Sequence, residues 1–151
     1  WAAPEAAAIV FREFPMTTMV GLDVTHRVLM GATDRDRMRA AGGPAATLAA
    51  NLLDFAVARA DAIAGRDGAP IHDATAVMSV VAPELFTSVK RPVEVELSGA
   101  ITRGMTVVDD RPGGRAGEGP APANACVLLD ADEQAVIDGI VDAILALDDS
   151  R

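Results

Sequence analysis

Apolar positions along the chain change period several times, and each change marks an element. Pro4-Glu5-Ala6-Ala7-Ala8-Ile9-Val10-Phe11 reads as a helix under way. Pro4 suits its first turn, Glu5 meets the positive end of the helix dipole, and Ile9, Val10 and Phe11 form an apolar end that needs a sheet to pack on. After Pro15 the run from Met16 to Leu22 is short, β-branched and apolar on both faces. That is the pattern of a strand buried in a parallel sheet, expected from Thr17 to about Val24. A polar stretch of helical character, Asp34 to Arg39, stops at Gly42-Gly43, and Pro44 opens the next element.

From Ala45 to Ala64 the spacing of Leu48, Leu52, Phe55, Ala56 and Ile63 predicts one long helix, with Asp54, Arg59 and Asp61 elsewhere on its circumference. It ends in Gly65-Arg66-Asp67-Gly68-Ala69-Pro70, a turn that delivers Ile71, His72 and Asp73 to the mouth of another helix, Ala74 to about Val81, closed by Pro83. Val93, Val95 and Leu97 alternate with Glu94, Glu96 and Ser98, and Met105 to Val108 is again strand-like, which predicts an antiparallel pair. Asp109 to Pro122, rich in Gly, Pro and charge, reads as an exposed loop; a strand follows over Ala125 to Leu129 and an amphipathic helix over Asp132 to Leu147. The alternation predicts an α/β fold: an open, mostly parallel sheet flanked by helices, with an antiparallel extension. Ligands of such sheets bind beyond the carboxyl ends of the strands, here the Asp23 to His26 segment.

Composition narrows the function. The 151 residues, half of them apolar, suffice for one domain or most of one. Because Trp1 leads straight into a helix, the chain is expected to begin mid-fold. A net charge of -9 and a pI near 4.5 argue against a sequence-independent grip on nucleic acid and make anionic membranes poor partners. The single cysteine, Cys126, excludes an intrachain disulfide and a multi-cysteine zinc site; between Ala125 and Val127 it reads as a small apolar group. No apolar run approaches the ~20 residues of a membrane span, and no signal-peptide order is present, so the cytoplasm is the expected compartment. Gly113-Gly114 lies in the loop with no Lys-Ser or Lys-Thr after it, which is no phosphate cradle. Asp148-Asp149 and the charged loop from Arg111 to Glu118 read as solvated surface.

His72-Asp73 is the pair with the clearest chemistry. An imidazole donates a proton near neutral pH, and an adjacent carboxylate is the hard oxygen ligand that calcium prefers. A structural reading stands beside it, with Asp73 at or near the helix N-cap accepting bonds from free backbone N–H groups. His26, closing Leu22-Asp23-Val24-Thr25-His26 at the expected strand end, reads either as hydrogen-bonded structure or as a ligand, and Asp23 likewise.

Four blocks in order, Pro4-Glu5-Ala6-Ala7, Met19-Val20-Gly21-Leu22-Asp23-Val24-Thr25-His26, Gly68-Ala69-Pro70-Ile71-His72-Asp73 and Thr102-Arg103-Gly104-Met105-Thr106-Val107-Val108-Asp109, resemble the calcium-dependent, inosine-uridine preferring nucleoside hydrolases. The resemblance covers nearly all of the chain but only about the second half of the family's usual length, so residues 1–151 are expected to be the C-terminal half of a single nucleoside hydrolase domain. It implies hydrolysis of the N-glycosidic bond of a ribonucleoside to base and ribose. A Ca2+-bound water attacks the anomeric carbon and a neighbouring Asp takes its proton. It implies His72 as the catalytic group that protonates the departing base and Asp73 as calcium and ribose ligand, with His26 supporting at most. The implied partners are a small-molecule ribonucleoside and, in the full-length protein, further copies of the chain.

The departures from the family are specific. Its N-terminal Asp-rich motif, which supplies most calcium carboxylates and the base, is not among these residues, nor are the Asn and Glu that bind ribose just before the Pro-Glu-Ala-Ala block. One Asp cannot cage calcium, so the isolated chain is expected to be inactive. Where some members carry tyrosines near the leaving base, this chain has Ala56, Ala58 and Ala60, and Ala74 follows Asp73 where Pro is common. Two rivals remain: a non-enzymatic remnant or interaction domain using an exposed sheet edge, and a hydrolytic site built on His26 with Asp23.

Overall fold

In a computed structural model that describes residues 2–65, 67–112, 119 and 121–149, fourteen elements follow one another. In chain order they are α1 (Pro4–Glu13), β1 (Thr17–Met19), α2 (Leu22–Thr25), β2 (Leu29–Met30), α3 (Ala32–Ala41), α4 (Pro44–Ala64), β3 (Ala69–Pro70), α5 (Asp73–Val81), a 3-10 turn (Pro83–Leu85), β4 (Phe86–Arg91), β5 (Val93–Val95), β6 (Thr106–Val108), β7 (Ala125–Ala131) and α6 (Glu133–Asp149). They form two compact units: the chain up to Met19 with Ser88–Leu129, and Val20–Thr87 with the chain from Asp130 on. Trp1, Arg66, Gly113-Gly114 and most of the charged loop up to Glu118 lie outside the described residues. Among the described residues no helix is long and apolar enough to cross a membrane.

The first unit is built on a sheet of order β1-β7-β4, in which β1 runs parallel to β7 with Thr17 opposite Ala125 and Met19 opposite Val127. The antiparallel ribbon β5/β6 pairs Val93 with Val108, as the alternation predicted. Phe11, Met19, Val89 and Val108 pack around buried Val93, Ala125 and Val127. Asn124 joins three elements: its amide N–H groups donate to the carbonyls of Phe11 and Val93, its side-chain oxygen accepts the Val93 N–H, and its backbone carbonyl accepts the Thr17 N–H. Cys126 is a free, half-buried thiol on β7 opposite Thr18.

The second unit has one continuous core. Met38 of α3, Ala46, Ala50 and Leu53 of α4, Met78 of α5, and Val136, Ile137, Ile140 and Val141 of α6 are buried together. The small side chains on α4 let its neighbours approach closely. Gly139 does the same on α6, where a Cβ would stand 2.5 Å from the Met78 terminal methyl. The polar α3 is held by ion pairs: Arg35 and Arg39 to Asp54 on α4, and Arg37 to Asp138 and Asp142 on α6. Desolvation works to raise the Asp54 carboxyl, but hydrogen bonds and charge from Arg35 and Arg39 outweigh it and hold it below its ordinary value. What this cluster contributes is therefore present above the ordinary Asp range and is lost as pH falls through the lowered value.

Several expectations are corrected. The strand predicted over Thr17 to Val24 stops at Met19, because only three residues find partners on β7; Gly21 then opens the short helix α2, and Leu22 is 62% exposed. His26 is accordingly the C-cap of α2, its N–H on the Leu22 carbonyl, rather than a strand end. The strands β2, β3 and β4 were not foreseen. Arg111 is paired with Asp109 rather than simply solvated.

Asp148 is not idle surface either. The N-cap of α4 is Gly43, with no side chain to cap the helix, and Pro44 has no N–H. The Asp148 carboxylate, arriving from the end of α6, accepts the N–H groups of Ala45 and Ala46 at 2.9 Å each. A Cβ on Gly43 would lie 2.1 Å from that carboxylate, so the cap also requires the glycine. Removing a cap of this kind costs about 1–2 kcal/mol. Asp148→Ala and Gly43→Ala should each lower the unfolding free energy by about that much in urea titration, whereas Asp149→Ala, on the exposed side, should stay within about 0.5 kcal/mol.

Candidate functional site

The ribbon β2/β3 sets the geometry of the site. Leu29 stands opposite Pro70 and Met30 opposite Ala69, and the pairing continues as the Ile71 N–H donates to the Val28 carbonyl at 3.1 Å. The turn from α4 into β3 needs Gly68, whose φ of 128° favours glycine and where a Cβ would be 3.3 Å from both the Leu29 side chain and the Met30 carbonyl. Carried one step beyond Val28 and Ile71, this register brings the end of α2 against the start of α5.

There Thr25, only 2% exposed, meets His72: its hydroxyl oxygen lies 2.8 Å from Nδ1 across 47 residues of sequence. The His26 ring stands edge-on to the His72 ring, centroids 5.6 Å apart and planes at 64°. His72 is exposed and forms the N-cap of α5 without any side-chain capping bond. Among the described residues its Nε2 has no hydrogen-bond partner. Just behind, buried Thr75 donates its hydroxyl proton to the Ile71 carbonyl at 2.5 Å, which fixes the turn that presents His72 and Asp73.

Asp73 occupies the first helical position of α5 and is exposed. Its carboxylate makes no hydrogen bond or ion pair among the described residues, so the capping role that one reading gave it is not formed. The structure thus brings His72 and Asp73 together as neighbours on one turn, with His26 at the side. Asp23 is also exposed and unbonded among the described residues, so it does not pair with His26 as the rival site required. Thr25 is the residue that sequence reasoning missed; no spacing rule connects it to a histidine so distant in the chain.

A cavity of about 390 Å³ opens beside His26, walled by Ala56, Arg59, Ala60 and Ile63 of α4 and by Ala69 and Pro70 of β3. Its volume falls in the range of small-molecule sites and its walls are mostly small and apolar, with Arg59 the charged member. Ala56 and Ala60 face it, while Ala58 is not in its lining. Calcium takes six to eight oxygen ligands. Among the described residues no group of three or more His, Cys, Asp or Glu stands close enough to hold a metal, so these residues alone do not fit a complete calcium site.

A family model described as inosine-uridine preferring nucleoside hydrolase matches residues 1–138. The chain is 44% identical over 142 residues to the pyrimidine-specific ribonucleoside hydrolase RihA of Escherichia coli (strain K12), covering 93% of this chain and 44% of that protein. Against RihA of Citrobacter koseri it is 45% identical over 136 residues, 89% of this chain and 42% of that one. Among solved structures, a purine-preferring ribonucleoside hydrolase from Gardnerella vaginalis superposes with a TM-score of 0.84 at 27% identity, over 98% of this chain and 45% of the other. A plant nucleoside hydrolase, PpNRh1, shares the fold with a TM-score of 0.81 at 21% identity, over 94% and 45%. The chain therefore spans less than half the length of the relatives it matches.

An exposed, unbonded carboxylate contributes to stability only through the helix dipole. Asp73→Ala is expected to change the unfolding free energy by no more than about 0.5 kcal/mol in chemical denaturation. A loss of about 1 kcal/mol or more would restore the capping reading.

Proposed function

Because the chain belongs to the inosine-uridine preferring nucleoside hydrolase family, we propose that the full-length protein carrying it hydrolyses the N-glycosidic bond of ribonucleosides to free base and ribose. The observation that carries the reading is the adjacency of an imidazole Nε2 and a carboxylate that have no partner among the described residues. Among the described residues His72 is held at Nδ1 with Nε2 unpartnered, next to an Asp73 carboxylate that makes no bond, and both lie close in sequence to the wall of the cavity of about 390 Å³.

In this reading the base lies toward the alanine-lined cavity and its glycosidic bond faces His72. As that bond breaks, the electron pair goes with the base; a proton from Nε2 of the protonated imidazole makes the base a neutral leaving group and returns the ring to its neutral form, a step that general acid catalysis accelerates by about 10²–10⁴-fold. Asp73 accepts hydrogen bonds from ribose hydroxyls and offers one hard oxygen to a calcium ion. The remaining calcium ligands, and the group that receives the proton of the attacking water, come from residues outside this chain. The isolated chain is accordingly inactive.

The relatives' names divide between pyrimidine-specific and purine-preferring enzymes, so the test uses both. Full-length protein is incubated with uridine, cytidine, inosine and adenosine, and released ribose is measured as reducing sugar, with calcium and after chelation. Hydrolysis that chelation abolishes is expected. His72→Gln should lower kcat by about 10²–10⁴-fold on substrates whose base must be protonated to leave, and Asp73→Asn should raise both KM and the calcium needed for half-maximal rate. No hydrolysis of any of the four would sink the enzyme reading, and an unchanged calcium requirement in Asp73→Asn would remove its place as a ligand.

A further inference from the structure

We propose that Arg59 selects the base of the substrate: its guanidinium donates to the carbonyl oxygen that hypoxanthine carries at position 6 and uracil at position 4, where adenine and cytosine carry an amino group. This rests on the reading that places the base toward the alanine-lined cavity, and it draws no proton from His72.

In a chain with 22 acidic residues against 13 basic ones, an arginine readily finds a carboxylate. Among the described residues every arginine other than Arg59 holds an ion pair with Asp or Glu. Arg59 has no hydrogen bond or ion pair among them. Its isolation is built into α4. Side chains three and four residues apart share a helix face, and around Arg59 those positions hold Phe55, Ala56, Ala62 and Ile63, whose side chains accept no hydrogen bond. Asp54 and Asp61 stand on the same helix at other spacings, and Asp54 is already engaged by Arg35 and Arg39. The donors of Arg59 are therefore available to a ligand.

The cavity gives those donors a place to act. The side chains lining it are hydrocarbon except for Arg59 and His26, and the His26 ring stands next to His72. A nucleoside whose glycosidic bond faces His72 turns the opposite edge of its base away from that end. The opposite edge carries position 4 of a pyrimidine and position 6 of a purine. Arginine has five N–H donors and no acceptor, so it matches a carbonyl oxygen and meets an amino group donor to donor. A 6-oxopurine offers a second acceptor beside the first, the ring nitrogen N7, and one guanidinium can bond both; a 6-aminopurine keeps N7 alone. Arg59 is exposed, which limits the discrimination to what one hydrogen bond to a charged group supplies, about 10- to 100-fold.

The test uses the full-length protein, wild type and Arg59→Met, which keeps a long apolar stem and removes the guanidinium. Specificity is the ratio of kcat/KM values, measured for inosine against adenosine and for uridine against cytidine, on whichever pair the protein hydrolyses. Each ratio is taken within one preparation, so a loss of folded enzyme cancels from it. The wild type is expected to favour inosine and uridine, and Arg59→Met to lower each ratio about 10- to 100-fold. Ratios that Arg59→Met leaves unchanged overturn the proposal, even when all rates fall together, because the guanidinium would then serve the fold or the reaction at large and not the choice of base. A wild type that favours adenosine and cytidine, or takes both members of a pair equally, overturns it too. In each of these cases nucleosides are still hydrolysed and the hydrolase reading stands; a wild type that hydrolyses none of the four removes that reading and this inference with it.

Discussion

A helix begins with N–H groups that its own turns cannot pair, and the second unit depends on how α4 meets that constraint. Gly43 has no side chain to offer and Pro44 removes one donor, which leaves Ala45 and Ala46 to be satisfied from elsewhere. Asp148, the penultimate residue of α6, does so across more than a hundred residues. The same contact anchors the end of α6 to the start of α4, and between those ends the two helices bury Ala46, Ala50 and Leu53 against Val136, Ile137, Ile140 and Val141. With its start capped and its middle buried, α4 forms one wall of the second unit. Its far end supplies the cavity side chains Ala56, Ala60 and Ile63 and the left-handed Gly65 from which the chain turns toward His72.

How much of this was legible depends on the range over which each signal acts. The long helices α4 and α6 were read to within one or two residues, because apolar spacing over four or more turns averages out local accidents. Gly42 and Gly65 marked helix ends for the reason expected, each adopting a left-handed conformation. The strand beginning at Thr17 was read too long because Val20, Leu22 and Val24 continue an apolar run, yet strand length is decided by the partner, and β7 offers three residues of pairing. The two-residue strands β2 and β3 are too short to show any period, and β4 carries its charges Lys90 and Arg91 at one end, which hid its alternation.

The site divides along the same line. His72 and Asp73 were visible as adjacent residues at a predicted turn. What surrounds them was not: Thr25 and His26 reach His72 only through the β2/β3 register, and Asp148 resembled surface charge because a carboxylate that caps a distant helix carries no local mark. Side chains that act at long range are legible only once the backbone that brings them together is known.

The contrast between the two helix starts bears directly on function. At α4 both oxygens of the Asp148 carboxylate accept backbone N–H groups, and the glycine beside it is required by the carboxylate. At α5 no side-chain cap forms at all: the N-cap is His72, and Asp73 leaves its oxygens unbonded among the described residues. Yet α5 is not loosely held, because Thr75 ties its first turn to Ile71 and Met78 lies in the shared core close against Gly139 of α6. Its stability comes from the buried side and from its neighbours, so the residues at its mouth are released from structural duty. A sequence under selection for stability alone would place a capping side chain there. An imidazole steadied from behind and a carboxylate left open in front are the two groups that the proposed function would use.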